Sequence, residues 1–144
     1  MRIGIALARF NQAVTDRLVA GALEALVQQG VADDAIDVAT VPGAFELPLC
    51  AQRLASTGRY DALICLGAVV RGETPHFDFV AGEAAAGLGR TSLLHDLPIA
   101  FGLLTTDTME QALERAGGTH GNKGYDTAMT ALEMAGLLHA IQRG

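Results

Sequence analysis

The chain has 144 residues, half of them hydrophobic, and its 16 acidic and 10 basic residues give a net charge of −6. Surfaces that bind nucleic acids or anionic membranes need clustered positive charge, so the composition argues against both classes of partner. An anionic small molecule stays compatible with this charge, because one local arginine or lysine is sufficient to bind it. The length predicts a single domain over residues 1–144 with its own hydrophobic core.

The N-terminal sequence and the two cysteines predict a soluble, cytoplasmic protein. The chain runs from Met1 directly into a strand-like segment, without the charged and apolar regions of a signal peptide. The longest apolar run is about half of what a membrane-spanning helix needs. Cys50 and Cys65 do not form a C-x-x-C pair, which favours packed, reduced thiols.

The first half of the chain alternates short apolar runs with amphipathic segments. Residues 2–8 predict a first strand, and Asn11 is placed to cap a helix that Gly30 ends. Residues 36–41 predict a second strand. The helix after it carries Pro48, which a helix tolerates only near its first turn.

The second half of the chain continues the same alternation. Residues 62–70 are almost wholly apolar and rich in valine, which predicts a parallel strand buried on both faces. The helix after this strand is expected to run toward Gly89, with residues 92–97 as a connector. Residues 98–104 predict the fourth strand.

Two helices are predicted after the fourth strand. Asp107 and Glu110 have the spacing of a capping box, which predicts a helix through Arg115. The glycine-rich residues 117–124 interrupt the pattern before a last helix. The order βαβαβαβα predicts an α/β fold with one parallel sheet and helices on both of its faces. The third and last predicted helices are apolar on more than one side, which favours a homo-oligomer.

Three loops at the carboxyl ends of predicted strands hold the candidate chemistry: residues 10–11, 43–46 and 71–76. In a parallel α/β sheet these ends converge at one edge, where ligands bind. The loop 71–76 offers a guanidinium, a hydroxyl and an imidazole at a helix start, where free N–H groups favour an anion. His76 can both give and take a proton near neutral pH. We therefore expect a phosphate-bearing substrate and acid–base chemistry.

Each of these residues also has a purely structural interpretation. Phe10 after a strand is more often part of a core, and Glu46 can complement a helix dipole. His76 alone is more often a helix cap or an exposed histidine, and Arg115 and Lys123 are usually solvated. The sequence has no zinc-ligand spacing, P-loop or strand-linked G-x-G-x-x-G motif, and no nucleophile elbow.

Taken together, five stretches resemble the 6,7-dimethyl-8-ribityllumazine synthase family: ARFN (8–11), VPGAFELP (41–48), GAVVRGETPHFDFV (67–80), FGLLTTDTMEQALERAG (101–117) and GNKG (121–124). The combination of G-A-F-E with R-G-x-T-x-H is far more specific than either motif alone. The resemblance implies a three-layer α/β/α fold with a four-stranded parallel sheet in flavodoxin-like order. It also implies a riboflavin-biosynthesis enzyme that condenses 5-amino-6-(D-ribitylamino)uracil with 3,4-dihydroxy-2-butanone 4-phosphate, releasing phosphate and water, without a metal or organic cofactor.

The resemblance further implies roles for individual residues. The residues implied to bind the ribitylaminouracil are Phe10, Ala44, Phe45, Glu46, Ala68, Val69, Val70 and Phe101. The residues implied to bind the phosphate are Glu73, Thr74 and Arg115. His76 is the implied proton donor, and Lys123 is implied to assist near the reacting centre. In the family the pocket lies between neighbouring subunits of a pentamer, with Phe101 and Arg115 reaching in from the adjacent chain.

Two features of this sequence differ from the family pattern, and both concern how subunits assemble. The first strand starts at Arg2, without the preceding segment of shell-forming members, and residues 117–124 read GGTHGNKG where GTKAGNKG is common. The assembly therefore stays open among a pentamer, a pair of pentamers and an icosahedral shell. Two alternative functions also stay open: an archaeal-type riboflavin synthase, and a non-catalytic lumazine or flavin carrier or shell protein. His76, Arg115 and the phosphate loop argue against the carrier.

Overall fold

A computed structural model describes residues 1–144 and contains a four-stranded parallel sheet with the strand order β2-β1-β3-β4. The elements in chain order are β1 (Ile3–Ala8), α1 (Gln12–Gln28), β2 (Ile36–Val41), α2 (Leu47–Ser56), β3 (Ala62–Val70), α3 (His76–His95), β4 (Ile99–Thr106), α4 (Met109–Glu114), β5 (Ala116–Gly118), β6 (Gly121–Asn122) and α5 (Lys123–Arg143). Helices flank the sheet on both sides, so the predicted three-layer fold with flavodoxin-like order is confirmed.

Strands β1 and β3 are apolar along their whole length because a separate hydrophobic core lies on each face of the sheet. In β1, Ile3 and Ile5 belong to the core that contains α1 and α5. Ala6 and Ala8 point the other way, into the core that contains α2 and α3. Successive strand residues face opposite sides, so a strand covered on both faces has no polar alternation.

Helix α1 begins without the predicted side-chain cap. Asn11 has the left-handed conformation (φ 65°) and makes no capping hydrogen bond. Its amide instead donates to the Ala68 carbonyl at 2.9 Å, which ties the β1–α1 loop to β3. The other end of the helix agrees with the prediction: Gly30 has φ 84°, and the Val31 N–H donates to the Leu26 carbonyl as in a Schellman motif.

Helix α3 is longer than predicted. It continues past Gly89 and ends at His95, so the prediction of a connector over residues 92–97 is wrong for most of its length. Leu93 and Leu94 are 87% and 74% exposed within this chain. Two solvent-facing leucines break the periodicity that marks a buried helix face, whereas an isolated glycine is tolerated inside a helix.

The end of β4 and the start of α4 are also displaced from the prediction. Strand β4 extends beyond Leu104, and the N-cap of α4 is Thr108, not Asp107. The Thr108 hydroxyl accepts the Gln111 N–H at 3.1 Å, and Gln111 Oε1 accepts the Thr108 N–H at 3.2 Å. Asp107 does not cap the helix because its carboxylate binds Arg71.

Within the glycine-rich residues 117–124, Thr119 and His120 connect β5 to β6 in a small antiparallel hairpin, which the sequence analysis did not predict. The hairpin leads into α5, where Asn122 Oδ1 accepts the Tyr125 N–H at 3.0 Å and caps the helix. Helices α1 and α5 then approach so closely that a Cβ at Gly124 would overlap the Leu18 carbonyl oxygen. The hairpin and this contact together fix where α5 begins.

Both cysteines are free thiols. Cys65 is fully buried in β3, and burial raises its pKa; burial also raises the pKa of the partly buried Cys50. These are the packed thiols that the sequence predicts. None of the helices combines the length and the hydropathy that crossing a membrane requires.

Candidate active site

The carboxyl ends of β1, β2 and β3 form one side of a cavity of about 750 Å³, which we call the sheet-edge cavity. The loop after each strand contributes to it, and the first turns of α3 complete the lining. Its lining residues are Phe10, Asn11, Pro42, Gly43, Ala44, Phe45, Glu46, Ala68, Val69, Val70, Gly72, Thr74, His76, Phe77, Phe79 and Val80. The three loops singled out from the sequence therefore meet at one edge, as parallel strands require.

Most of the sequence-predicted site residues line this cavity. These residues are Phe10, Ala44, Phe45, Glu46, Ala68, Val69, Val70, Thr74 and His76. Glu73 belongs to the same loop as Thr74 and is exposed beside the lining. Three predicted residues lie elsewhere: Phe101, Arg115 and Lys123.

Two phenylalanines present their rings to the cavity. Phe10 and Phe45 are 66% and 57% exposed, so the interpretation of Phe10 as a core residue is wrong. Burying a phenylalanine side chain is worth about 1.5–3 kcal/mol, and the fold gains little of this from these two rings. A flat ligand stacked on either ring would recover that burial and add the attraction of offset stacking.

Glu46 lies at the start of α2 but does not cap it through its side chain. Its backbone N–H donates to the Gly43 carbonyl at 3.2 Å, while its carboxylate makes no capping hydrogen bond. The carboxylate also takes part in none of the ion pairs of this chain. Both of its oxygens therefore stay free to accept hydrogen bonds from the hydroxyl groups of a ligand.

His76 is the first residue of α3, and Pro75 occupies the cap position before it. The interpretation of His76 as a helix cap is therefore wrong. The imidazole is exposed on the cavity lining beside Thr74. The first N–H groups of a helix lack intrahelical partners, so this end of α3 is also suited to an anionic group.

Arg71 does not line the cavity, although the sequence suggested its guanidinium as an anion ligand. Its Nε donates to Asp107 Oδ1 at 3.0 Å, and its Nη2 lies 3.6 Å from Asp78 Oδ1. The guanidinium carbon also lies 4.3 Å from the centre of the Phe77 ring. Two carboxylates thus neutralise Arg71, which ties the end of β3 to α3 and to the β4–α4 loop.

A second depression, which we call the β4 depression, lies at the end of the edge strand β4 and has a volume of about 470 Å³. Its lining residues are Leu103, Leu104, Thr105, Thr106, Arg115, His120, Lys123 and Asp126. Arg115 Nη1 donates to the Gln111 carbonyl at 3.0 Å. Phe101 is 41% exposed on β4 and belongs to neither depression. One subunit therefore does not bring all predicted site residues together.

The sequence analysis missed several residues of the sheet-edge cavity. Phe79 is 70% exposed on its lining, and Val80 lies beside it. Both follow His76 at the spacing of one helix face, which is the signal that would have predicted them. No group of three or more His, Cys, Asp or Glu side chains lies close enough together to hold a metal ion.

Comparisons with known proteins identify the family of this chain. The model of the 6,7-dimethyl-8-ribityllumazine synthase family matches residues 1–139, a range that includes both depressions. The chain is also similar to the 6,7-dimethyl-8-ribityllumazine synthase of Desulfatibacillum aliphaticivorans, with 60% identity over 136 residues. That alignment covers 94% of this chain and 88% of the relative. The chain belongs to the 6,7-dimethyl-8-ribityllumazine synthase family.

Proposed function

We propose that this lumazine synthase builds each active site from two half-sites on neighbouring subunits of a homo-oligomer made of pentamers. The enzyme joins 5-amino-6-(D-ribitylamino)uracil to 3,4-dihydroxy-2-butanone 4-phosphate in riboflavin biosynthesis. In the proposal, the sheet-edge cavity of one subunit meets Phe101 and the β4 depression of the next. The observation that carries the proposal is the separation of Phe101, Arg115 and Lys123 from the cavity within one chain.

Exposed apolar side chains support an interface on these elements. Large hydrophobic residues left exposed on α3, β4 and α5 are Phe79, Leu93, Leu94, Phe101, Met134, Leu137 and Ile141. Exposed apolar side chains that form a patch mark interaction surfaces, and a subunit interface on these elements would cover them. The two free thiols suit the reducing cytoplasm, which is the location we propose.

The ribitylaminouracil half of the site is assigned to the sheet-edge cavity. Phe10 stacks on the pyrimidine ring, and Phe101 of the neighbouring subunit contacts the same substrate. Glu46 accepts hydrogen bonds from ribityl hydroxyls. Further contacts come from the backbone and small side chains of Ala44, Phe45, Ala68, Val69 and Val70.

The phosphate half of the site is assigned to the start of α3 and to the neighbouring subunit. Glu73 and Thr74 supply backbone N–H and hydroxyl donors next to the positive end of the α3 dipole. Arg115 of the neighbouring subunit forms a bidentate ion pair with the phosphate. Lys123 lies beside Arg115 on the β4 depression and adds positive charge near the reacting centre.

In this proposal, the reaction of the two substrates depends on proton transfers and uses no cofactor. Imine formation releases water, elimination releases phosphate, and ring closure releases a second water. His76 donates a proton to a departing oxygen, a contribution typical of general acid catalysis. Holding both substrates in one cavity supplies much of the remaining acceleration. Arg115 and the N–H donors of the loop stabilise the negative charge that develops on the leaving phosphate.

Two variants test the assigned roles. Arg115→Ala should raise KM for the butanone phosphate and cause the larger loss in kcat/KM, because it removes a charged ligand. His76→Ala should lower kcat by about 10²-fold or less, as expected for one general acid. Arg53→Ala is a matched control, because Arg53 is an exposed arginine of α2 outside both depressions. If Arg115→Ala behaved like Arg53→Ala, the phosphate assignment would be wrong.

Mixing the two variants tests the shared site. When Arg115→Ala and His76→Ala subunits are unfolded and reassembled in equal amounts, about one quarter of inter-subunit sites receive both intact residues. Activity should therefore recover above that of either variant alone. Simply mixing the assembled variants, without subunit exchange, is the control. Absence of recovery after verified co-assembly would mean that each site lies within one subunit.

A further inference from the structure

His120 is a residue of the β4 depression to which neither the sequence nor the reaction assigns a role. It lies on the lining together with Arg115 and Lys123. We propose that His120 is a positioning residue for Arg115: it holds the Glu114 carboxylate and thereby keeps the guanidinium available for the substrate phosphate. This inference rests on the phosphate-binding role proposed for Arg115.

The Glu114 carboxylate lies between the His120 imidazole and the Arg115 guanidinium. Its Oε2 is 3.3 Å from His120 Nδ1 and 3.9 Å from Arg115 Nη1. The carboxylate is therefore closer to the imidazole than to the guanidinium. His120 Nδ1 also lies 3.2 Å from the Thr119 hydroxyl, so its contact with Glu114 is a close approach and not an aligned hydrogen bond. With a proton on Nδ1, the ring attracts the Glu114 carboxylate and keeps it from turning to Arg115.

The backbone gives the imidazole this position. The His120 N–H donates to the Glu114 carbonyl at 2.9 Å, and the Lys123 N–H donates to the Arg115 carbonyl at 2.8 Å. The hairpin is pressed against the end of α4, since a Cβ at Gly118 would lie 2.7 Å from the Glu114 Cα. The hairpin thus places the His120 ring over the carboxylate that precedes Arg115.

The charges around the β4 depression explain why the contact between His120 and Glu114 matters for phosphate binding. Arg115 and Lys123 are balanced by Asp126 on the lining and by Glu114 beside it. A phosphate group needs guanidinium N–H donors that no carboxylate occupies, and an ion pair between Glu114 and Arg115 would occupy them. Holding Glu114 on His120 leaves the remaining guanidinium N–H groups of Arg115 unoccupied, while its Nη1 stays fixed on the Gln111 carbonyl.

The test is a double-mutant cycle on His120 and Glu114. His120→Ala should raise KM for the butanone phosphate about two- to fivefold, the size of effect that one partly exposed side-chain contact has. The inhibition constant of inorganic phosphate should rise by the same factor, while KM for the ribitylaminouracil stays constant. In a Glu114→Gln background, His120→Ala should have no further effect, because the competing charge is gone.

A conservative variant provides a second readout. His120→Asn keeps a side-chain N–H near the position of Nδ1 and should restore most of the phosphate affinity that His120→Ala loses. A failure of this rescue, or an equal effect of His120→Ala with and without Glu114, would overturn the inference. Arg115→Ala is measured in parallel. If Arg115→Ala leaves inhibition by phosphate unchanged, the phosphate-binding role proposed for Arg115 is wrong. If Arg115→Ala weakens this inhibition but His120→Ala does not, only the role proposed for His120 is wrong.

Discussion

The contact between α1 and α5 predicts the effect of adding one methyl group to the protein. A Cβ at Gly124 would overlap the Leu18 carbonyl oxygen and lie 2.6 Å from the Leu18 carbonyl carbon. Both are backbone atoms of a helix, so neither can move unless one helix is displaced from the other. We therefore predict that Gly124→Ala destabilises the fold.

Two opposing effects set the size of this loss. Alanine is favoured over glycine inside a helix by about 1 kcal/mol. Overpacking against a rigid neighbour costs about 3 kcal/mol. The free energy of unfolding should therefore fall by about 2 kcal/mol. The displaced helix start carries Lys123, whose N–H donates to the Arg115 carbonyl at 2.8 Å, so we also expect a lower kcat/KM per folded subunit.

Denaturant titration at a fixed subunit concentration measures the loss, because the stability of an oligomer depends on concentration. Gly136→Ala is the matched control in the same helix, since no atom lies within 4 Å of a Cβ at that position. It should stabilise the protein by about 0.5–1 kcal/mol. Equal stabilisation by both variants would refute the reasoning, because the contact with Leu18 would then cost nothing.

Two further predictions concern buried and paired side chains. The Tyr60 hydroxyl donates to Asp37 at 2.8 Å and lowers the pKa of Asp37 below its ordinary 3.8. A lowered pKa stabilises the fold above the unfolded-state value and is lost as the pH falls through the folded-state value. Tyr60→Phe should therefore be less stable at neutral pH, with a difference that shrinks below about pH 4 in urea titrations; a difference independent of pH would contradict this. Cys65 is fully buried with a raised pKa, so a thiol reagent should label it only after unfolding, and after Cys50. Peptide mass spectrometry measures the order, and equal labelling of both thiols in the native protein would contradict it.

The sequence predicted those elements whose hydrophobic pattern matches their burial in the folded protein. The bounds of β2 and β3 match the predicted residues 36–41 and 62–70. Strand β3 is covered on both faces, so its entire apolar run is visible in the sequence. The errors occur where a contact between distant parts of the chain determines the local structure. Asp107 has the sequence of a helix cap, but Arg71 from another strand end binds its carboxylate.

The candidate site was predictable to the extent that parallel strands bring their carboxyl ends together. Phe10, Glu46 and His76 are distant in sequence and line one cavity for that reason. The separation of Arg115 from this cavity could not be derived from chain order, because Arg115 follows the edge strand and a short helix. Phe79 was missed because an aromatic residue of a helix is more often buried than exposed, although its spacing from His76 places both on one helix face.

Two arginines follow neighbouring strands of the sheet, and their carboxylate partners separate their roles. Arg71, after β3, is held by Asp107 and Asp78 and keeps little capacity for an anion. Arg115, after β4, has one carboxylate within ion-pair distance, that of Glu114 at 3.9 Å, and this carboxylate lies closer to the His120 imidazole. The arginine beside the larger cavity is therefore structural, whereas the arginine beside the exposed edge strand keeps free donors. In the proposed two-subunit site, a phosphate bound in the cavity obtains its guanidinium from Arg115 of a second subunit, and assembly is then a condition of catalysis.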